Sequence, residues 1–188
     1  MADLSSEIVK PDLSQPRRDV PPAAAEAALI GLIELLFFAY RDFTIDPDAI
    51  LAEFGFGRAH HRILHFVDRH PGLRVADLLD ILKITKQSLA RVLRQLVASG
   101  FIEQRLGEAD RRERRLYTTG TGQQLARRLL LPQIERMRAA LQNAHGQTEP
   151  DVVEAFLFAM IEPNERRRVE ALMNESTKPG PPRNGEQP

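Results

Sequence analysis

The sequence predicts a mainly α-helical fold with one small β-hairpin, an α+β arrangement. Three observations favour it. Apolar residues recur every three or four positions over most of the chain, two helical patterns follow each other across a short turn, and a pair of short alternating segments comes next.

No apolar run approaches about 20 residues, and the start has no basic segment before an apolar one. We therefore expect no membrane contact, no signal peptide and a cytoplasmic location.

Composition narrows the function classes. Cysteine is absent, which excludes disulfides, thiolate metal sites and cysteine-based redox sensing. The formal net charge is zero, but the charges are unevenly distributed. Residues 1–57 hold 4 Lys/Arg and 10 Asp/Glu, residues 58–119 hold 13 and 7, and residues 120–188 hold 9 and 9. A basic middle segment inside a larger scaffold is typical of a nucleic-acid-binding protein.

The N-terminal third predicts an arm followed by a helix. Residues 1–22 hold four of the 13 prolines without periodicity, which predicts a flexible arm. Residues 23–41 are apolar at helical spacing, and Asp46-Pro47 predicts a break before a short helix at residues 48–54. The first helix carries more bulky apolar residues than one buried face requires. We interpret residues 23–57 as a dimerisation helix and linker, the alternative being a central core helix of a monomer.

The middle segment, residues 58–120, predicts three helices, the last two joined by a short turn, and then a hairpin. Helical patterns cover residues 60–70, 75–82 and 86–99, and Thr85 and Gly100 are suitable caps for the last. The last two patterns form a helix-turn-helix signature. Strand patterns at residues 101–105 and 114–118 flank a polar loop, which predicts a wing. Residues 121–173 predict further helices, interrupted at Pro132, and residues 174–188 a disordered tail.

The helix at residues 86–99 separates apolar from polar side chains. Leucines and a valine share one face, whereas Gln87, Arg91 and Arg94 lie opposite, with Ser88 and Gln95 on one flank. The helix has no acidic residue, which an anionic groove explains better than an ordinary solvated face. Arginine can form a pair of hydrogen bonds to guanine, and glutamine can pair with adenine. The predicted contacts to duplex DNA on this helix are Thr85, Lys86, Gln87, Ser88, Arg91 and Arg94.

The predicted wing places four arginines within residues 110–115. An arginine at a hairpin tip can enter the narrow minor groove while its neighbours bind phosphates. The alternative is a solubilising loop with internal ion pairs. The predicted DNA contacts in the wing are Asp110, Arg111, Arg112 and Arg114.

These motifs together resemble a known family. Asp77-Leu78-Leu79, residues 84–88, residues 93–102, Asp110-Arg111-Arg112 and residues 116–120 are similar to the MarR family of winged helix-turn-helix transcription regulators, over residues 23–173. The resemblance implies a homodimer joined by N- and C-terminal helices. It implies recognition helices in successive major grooves of a pseudo-palindromic site and wings, residues 106–114, in the minor groove. Asp110 would orient Arg112, and Arg112 would enter the minor groove. Thr119-Gly120-Thr121 departs modestly from the family pattern.

The resemblance also implies that a small aromatic or phenolic effector binds between the dimer helices and the winged domain. The candidate residues for this site are Phe38, Phe43, Thr44, His60 and His61. His61 and His65 are one helical turn apart, as in two-histidine metal sites, but no third ligand is indicated. We therefore predict no metal and no cofactor.

Two other function classes remain as alternatives. An enzyme would need a phosphate loop, a nucleophile elbow or paired carboxylates, and the sequence has none of these. We therefore expect no enzymatic activity. The second alternative is a winged-helix module that binds protein instead of specific DNA, because the fold serves both uses. The arginine-rich helix face and wing favour DNA.

Overall fold

The computed structural model describes residues 22–107, 113–144 and 149–176, and its chain divides into two compact units, residues 1–42 and 43–188. In the first unit, the described residues belong to helix α1 (Pro22–Ala52), which continues into the second. The second unit also contains α2 (Arg58–Arg69), β1 (Leu73–Arg74), α3 (Val75–Leu82), α4 (Lys86–Ala98), β2 (Ile102–Leu106), β3 (Arg114–Thr118), α5 (Gly120–Asn143), α6 (Pro150–Ala159) and α7 (Pro163–Ser176). The predicted mainly helical α+β fold is confirmed.

The hydrophobic core lies in the second unit, among the last residues of α1, α2, α3, α4, the sheet and α5. Its side chains come from the helical and strand positions that the apolar periodicity marks. The core includes Leu51, Ile63, Leu64, Val67, Leu78, Leu82, Leu89, Val92, Leu93, Leu96, Ile102, Leu116, Leu125, Ala126 and Leu129. Each fully buried aliphatic side chain contributes about 1.5–3 kcal/mol to the free energy of folding. This packing fixes the relative positions of the helices and the hairpin.

The sheet is antiparallel with strand order β1-β3-β2. In the hairpin, Ile102 pairs with Thr118 and Leu106 with Arg114, which confirms the predicted strand pair. Strand β1 is an addition that the sequence did not predict. It is two residues long, and Leu73 pairs with Leu116. Gly72 leads into it with φ 86° and donates its N–H to the Leu116 carbonyl at 2.8 Å.

The predicted break at Asp46-Pro47 is wrong. Helix α1 continues through Pro47 to Ala52, so the separate helix expected at residues 48–54 does not exist. An internal proline costs a helix about 3 kcal/mol or more. Pro47 is fully buried, and its packing offsets that cost. Pro132 also lies within a helix, because α5 continues through it to Asn143 without a second start.

The part of α1 in the first unit exposes a long apolar surface. Leu29, Ile33, Phe37 and Tyr40 are each more than half exposed. Ala23–Ala52 is long and apolar enough to cross a bilayer, since an 18-residue stretch of it has a mean hydropathy of 1.8, contrary to the sequence-based count of apolar runs. Glu34 interrupts the apolar residues in that count, but it does not end the helix. So large an exposed apolar surface marks an interaction site.

Helix α7 lies against α3 in the second unit. Lys83 Nζ is 2.9 Å from Glu165 Oε1, and Arg168 Nη2 is 3.2 Å from Asp80 Oδ2. The helix continues to Ser176, three residues into the segment that was expected to be disordered from residue 174. The correction has a simple physical reason, because Asn-Glu-Ser contains no helix-breaking glycine or proline. Helix α7 therefore extends beyond residue 173, where the predicted helical segment ends.

Because α5 closely approaches the hairpin, we expect a methyl group at Gly122 to destabilise the protein. A Cβ atom there would lie 2.0 Å from the backbone oxygen of Phe101, whereas a Cβ at Gly120 would meet nothing within 4 Å. We expect Gly122→Ala to lower the free energy of unfolding by about 1–3 kcal/mol, measured by urea denaturation. Gly120→Ala is the matched control and should change it little. Equal stabilities of the two variants would contradict the described packing.

We expect the free energy of unfolding to depend on pH because of His65 on α2. Burial, with the nearby His61, Arg69 and His70, lowers the pKa of His65 from 6.5 to about 4. Between these values the unfolded chain binds more protons than the folded chain, so stability falls as the pH is lowered from about 6.5 to about 4. His65→Leu should remove about 2 kcal/mol of this fall. Urea denaturation of both proteins from pH 7.5 to 4 measures it, and parallel stability profiles would refute it.

Candidate nucleic-acid interface

Helix α4 packs its apolar face inward and leaves its polar face exposed. Leu89, Val92, Leu93 and Leu96 are buried against α2 and β2. Of the side chains predicted to contact DNA, Gln87, Arg91 and Arg94 on the opposite face are all exposed, as is Lys86 at the start of the helix. The sequence periodicity and the observed burial therefore agree for this helix. The exposed face is wide enough to present several side chains to one ligand surface.

The turn before α4 fixes where that face begins. Lys83 adopts a left-handed conformation, φ 51°, and its N–H caps α3 by bonding the Leu79 carbonyl. Thr85 is the N-cap of α4 and accepts the Ser88 N–H at 3.1 Å, while its hydroxyl donates to Ser88 Oγ at 2.9 Å. Thr85 and Ser88, both predicted DNA contacts, are therefore hydrogen-bonded to each other at the start of the helix.

The cations of this face have no acidic partner within the described residues. Among the described residues, no carboxylate lies within salt-bridge distance of Lys86, Arg91 or Arg94. The Nε of Arg94 donates to the Ala90 carbonyl of its own helix at 3.2 Å. Arg74 and Arg115, in the same unit, are each paired with a carboxylate. Cations left without counter-ions on one helix face favour an external anion as the ligand.

Paired charges lie where the wing loop joins β3. Arg74 bonds both oxygens of Asp77 at 2.7 Å and Glu113 Oε1 at 3.3 Å, and Arg115 bonds Glu113 Oε2 at 2.9 Å. The Arg74 guanidinium holds the pKa of Asp77 below its usual value. Glu113 thus connects the wing to the N-terminus of α3. The sequence does not predict these contacts of Arg74, because they form only in the tertiary fold.

The structure describes residues 106, 107, 113 and 114 of the predicted wing. Arg114, a predicted DNA contact, is exposed and pairs with Leu106 at the end of the hairpin. The guanidinium of Arg105 lies 4.5 Å from the centre of the Tyr117 ring. Asp110, Arg111 and Arg112 lie outside the described residues, so their predicted contacts to DNA stay predictions.

The five candidate effector residues have different surroundings. Phe38 is exposed in the first unit. In the second unit, Thr44 and His60 are buried, and Phe43 and His61 are half-buried. Burial lowers the pKa of both histidines, which favours their neutral forms. The described residues contain no group of three or more potential metal ligands. The effector assignment stays a prediction.

A contact between α2 and α4 was missed by the sequence analysis. His60 Nε2 lies 3.0 Å from Gln95 Oε1, although the two residues are 35 positions apart. Gln95 had been placed on the flank of the predicted recognition face, and His60 had been assigned to an effector site. The helical periodicity places each residue on its own helix face, but it carries no information about which two faces meet.

Comparisons with known proteins agree with the geometry. A model of the MarR family matches residues 54–113. The HTH-type transcriptional regulator PetP of Rhodobacter capsulatus is 49% identical over 143 residues, which cover 74% of this chain and 84% of that protein. The crystal structure of MarR is similar with a TM-score of 0.56 and 26% identity, covering 84% of this chain and 99% of that one.

Two structurally similar proteins were solved with DNA. The repressor CouR bound to a 23-mer DNA duplex gives a TM-score of 0.56 at 20% identity, over 72% of this chain and 93% of that one. A mutant MarR from E. coli complexed with operator DNA gives 0.55 at 18% identity, over 72% and 96%. At identities of 20% and 18%, the similarity to these two structures shows a shared fold and nothing more.

Proposed function

The chain belongs to the MarR family of transcription regulators, and from this we propose that it acts as a homodimer on a pseudo-palindromic site in duplex DNA. Members of this family regulate transcription and are not enzymes. The observation that carries the proposal is the face of α4, where three exposed cations have no carboxylate partner among the described residues. A solvated helix face would more often combine both signs of charge.

In this proposal α4 is the recognition helix and lies in the major groove. Arg91 and Arg94 bond guanine edges, Gln87 bonds adenine, and Lys86 binds phosphate. Thr85 and Ser88 lie at the start of the helix, where N–H groups and hydroxyls commonly contact the backbone of the duplex. The buried leucines of α4 support this orientation, because they keep the opposite face outward.

The wing, residues 106–114, is proposed to contact the adjacent minor groove. Arg112 enters the groove, Asp110 orients Arg112, and Arg111 and Arg114 bind phosphates. These assignments rest on the resemblance to the family and on the arginine-rich sequence. The bonds of Glu113 to Arg74 and Arg115 support them, because they tie the base of the wing to the helix-turn-helix.

The proposed dimer is formed by the apolar surface of α1 together with C-terminal helices. Val152 and Phe156 of α6 and Met160, directly after it, are each more than half exposed, as is much of α1 in the first unit. A second copy of the chain would remove these side chains from water at about 25 cal/mol per Å² of apolar surface. Such a dimer would be a cytoplasmic protein, although α1 has the length of a membrane span.

A small aromatic effector is proposed to release the dimer from DNA. The candidate binding residues remain Phe38, Phe43, Thr44, His60 and His61. The support is compositional, since phenyl rings and neutral imidazoles suit an aromatic ligand. His60 already has hydrogen-bonding partners for both ring nitrogens, so any contribution from it would be through its ring face.

Substitution of Arg91 tests the recognition helix. Arg91→Ala should weaken binding to the specific DNA site by about 1–3 kcal/mol, because a paired contact to a base is lost. Fluorescence anisotropy at one fixed salt concentration measures the dissociation constant. Arg167→Ala removes an equally exposed arginine from α7 and should leave it unchanged. Equal affinities of Arg91→Ala and the unchanged protein would contradict the assignment of α4.

Substitution of Phe37 tests the dimer. Phe37 is 69% exposed, so Phe37→Glu should leave α1 helical while placing an unpaired charge in the proposed interface. We expect the dimer dissociation constant to rise by about two orders of magnitude, measured by sedimentation equilibrium. Glu26→Gln on the same helix is the control. A dimer unaffected by Phe37→Glu would exclude this surface as the interface.

A further inference from the structure

His60 holds a defined hydrogen-bonding arrangement between α2 and α4. Its side chain is 7% exposed, and its ring stacks on that of Phe56 with 4.4 Å between the centroids. The Gly57 N–H donates to Nδ1 at 3.1 Å, and Nε2 lies 3.0 Å from Gln95 Oε1. Because Nδ1 accepts, the neutral ring carries its proton on Nε2 and donates it to Gln95.

This arrangement determines which atom of Gln95 is available to a ligand. The carbonyl oxygen of the side chain is engaged by His60, and no acceptor within the described residues is recorded for its amide nitrogen. Gln95 is itself exposed and lies one helical turn after Arg91 on α4. It therefore presents an N–H donor outward. A glutamine fixed in this way cannot pair with adenine in the bidentate manner, which needs the oxygen as well.

The surroundings of His60 keep it neutral. Burial lowers its pKa, and the charge of Arg91 acts in the same direction. A proton on Nδ1 would also face the Gly57 N–H, which is a donor. The neutral ring is thus the form that fits both partners, and the donation to Gln95 is its consequence.

We propose that His60 is a positioning residue that holds Gln95 with its amide N–H toward the DNA, where it donates to a backbone phosphate. The inference rests on the proposed function, since it presupposes that α4 faces DNA. Phosphate is favoured over a base because His60 engages the Gln95 oxygen, so the side chain offers only N–H donors, and phosphate oxygens accept from such donors. Such a bond would position the helix without reading sequence.

The test is a double-mutant cycle on the full-length chain with a mixed-sequence DNA duplex of about 30 base pairs as the probe. Gln95→Ala and His60→Leu should each weaken binding about fivefold, the size of one net hydrogen bond. In the Gln95→Ala protein, His60→Leu should have no further effect. If His60→Leu weakens binding by the same factor in both proteins, His60 acts through the fold and the proposal is overturned.

Conservative variants separate positioning from stability. His60→Gln retains a donor near the place of Nε2 and should restore the affinity. His60→Asn can still accept from Gly57 but is too short to reach Gln95, so it should restore thermal stability without restoring affinity. If both variants bind equally well, the contact with Gln95 has no function in binding.

Two further measurements distinguish phosphate from base contacts and this inference from the proposed function. Sequencing of duplexes selected from a random pool by Gln95→Ala should give the unaltered motif, whereas a change at one base pair would overturn the phosphate assignment. If Gln95→Ala binds normally while Arg91→Ala is weakened, only the present inference fails. If neither variant is weakened, the assignment of α4 to DNA fails as well.

Discussion

The burial of four aliphatic side chains on one face of α4 determines the orientation of the candidate interface. Leu89, Val92, Leu93 and Leu96 pack against α2 and β2 and are almost completely removed from water. Turning the helix by one position would expose several of them at a cost of about 1.5–3 kcal/mol each. No contact on the outer face approaches that energy, so the core fixes the outward direction of the cations.

The other parts of the site depend on this packing. The left-handed Lys83 and the Thr85 cap set the start of α4, and the backbone pairing of β1, β3 and β2 sets the position of the hairpin. Exposed ion pairs contribute at most about 1 kcal/mol each. The contacts of Arg74 with Asp77 and Glu113 therefore refine the position of the wing, and the sheet and the core provide most of its stability.

Much of the fold could be predicted from the sequence because it follows local rules. Helix α3 has the predicted bounds, α4 ends one residue earlier, and the hairpin strands differ by at most one residue. The errors arise where tertiary packing decides. Burial of Pro47 keeps α1 continuous, and β1 exists only because Leu116 is beside it. The bond between His60 and Gln95 likewise depends on how two helices pack, which periodicity does not reveal.

The central claim is that two copies of this cationic helix face duplex DNA together. The most direct measurement is the sequencing of DNA fragments selected from a random pool by the purified protein at one stated salt concentration. We predict an enriched motif with two-fold symmetry, its half-sites centred about one turn of the double helix apart, or about 10 base pairs. A selected pool with no enriched sequence, or with a single asymmetric one, would contradict the account.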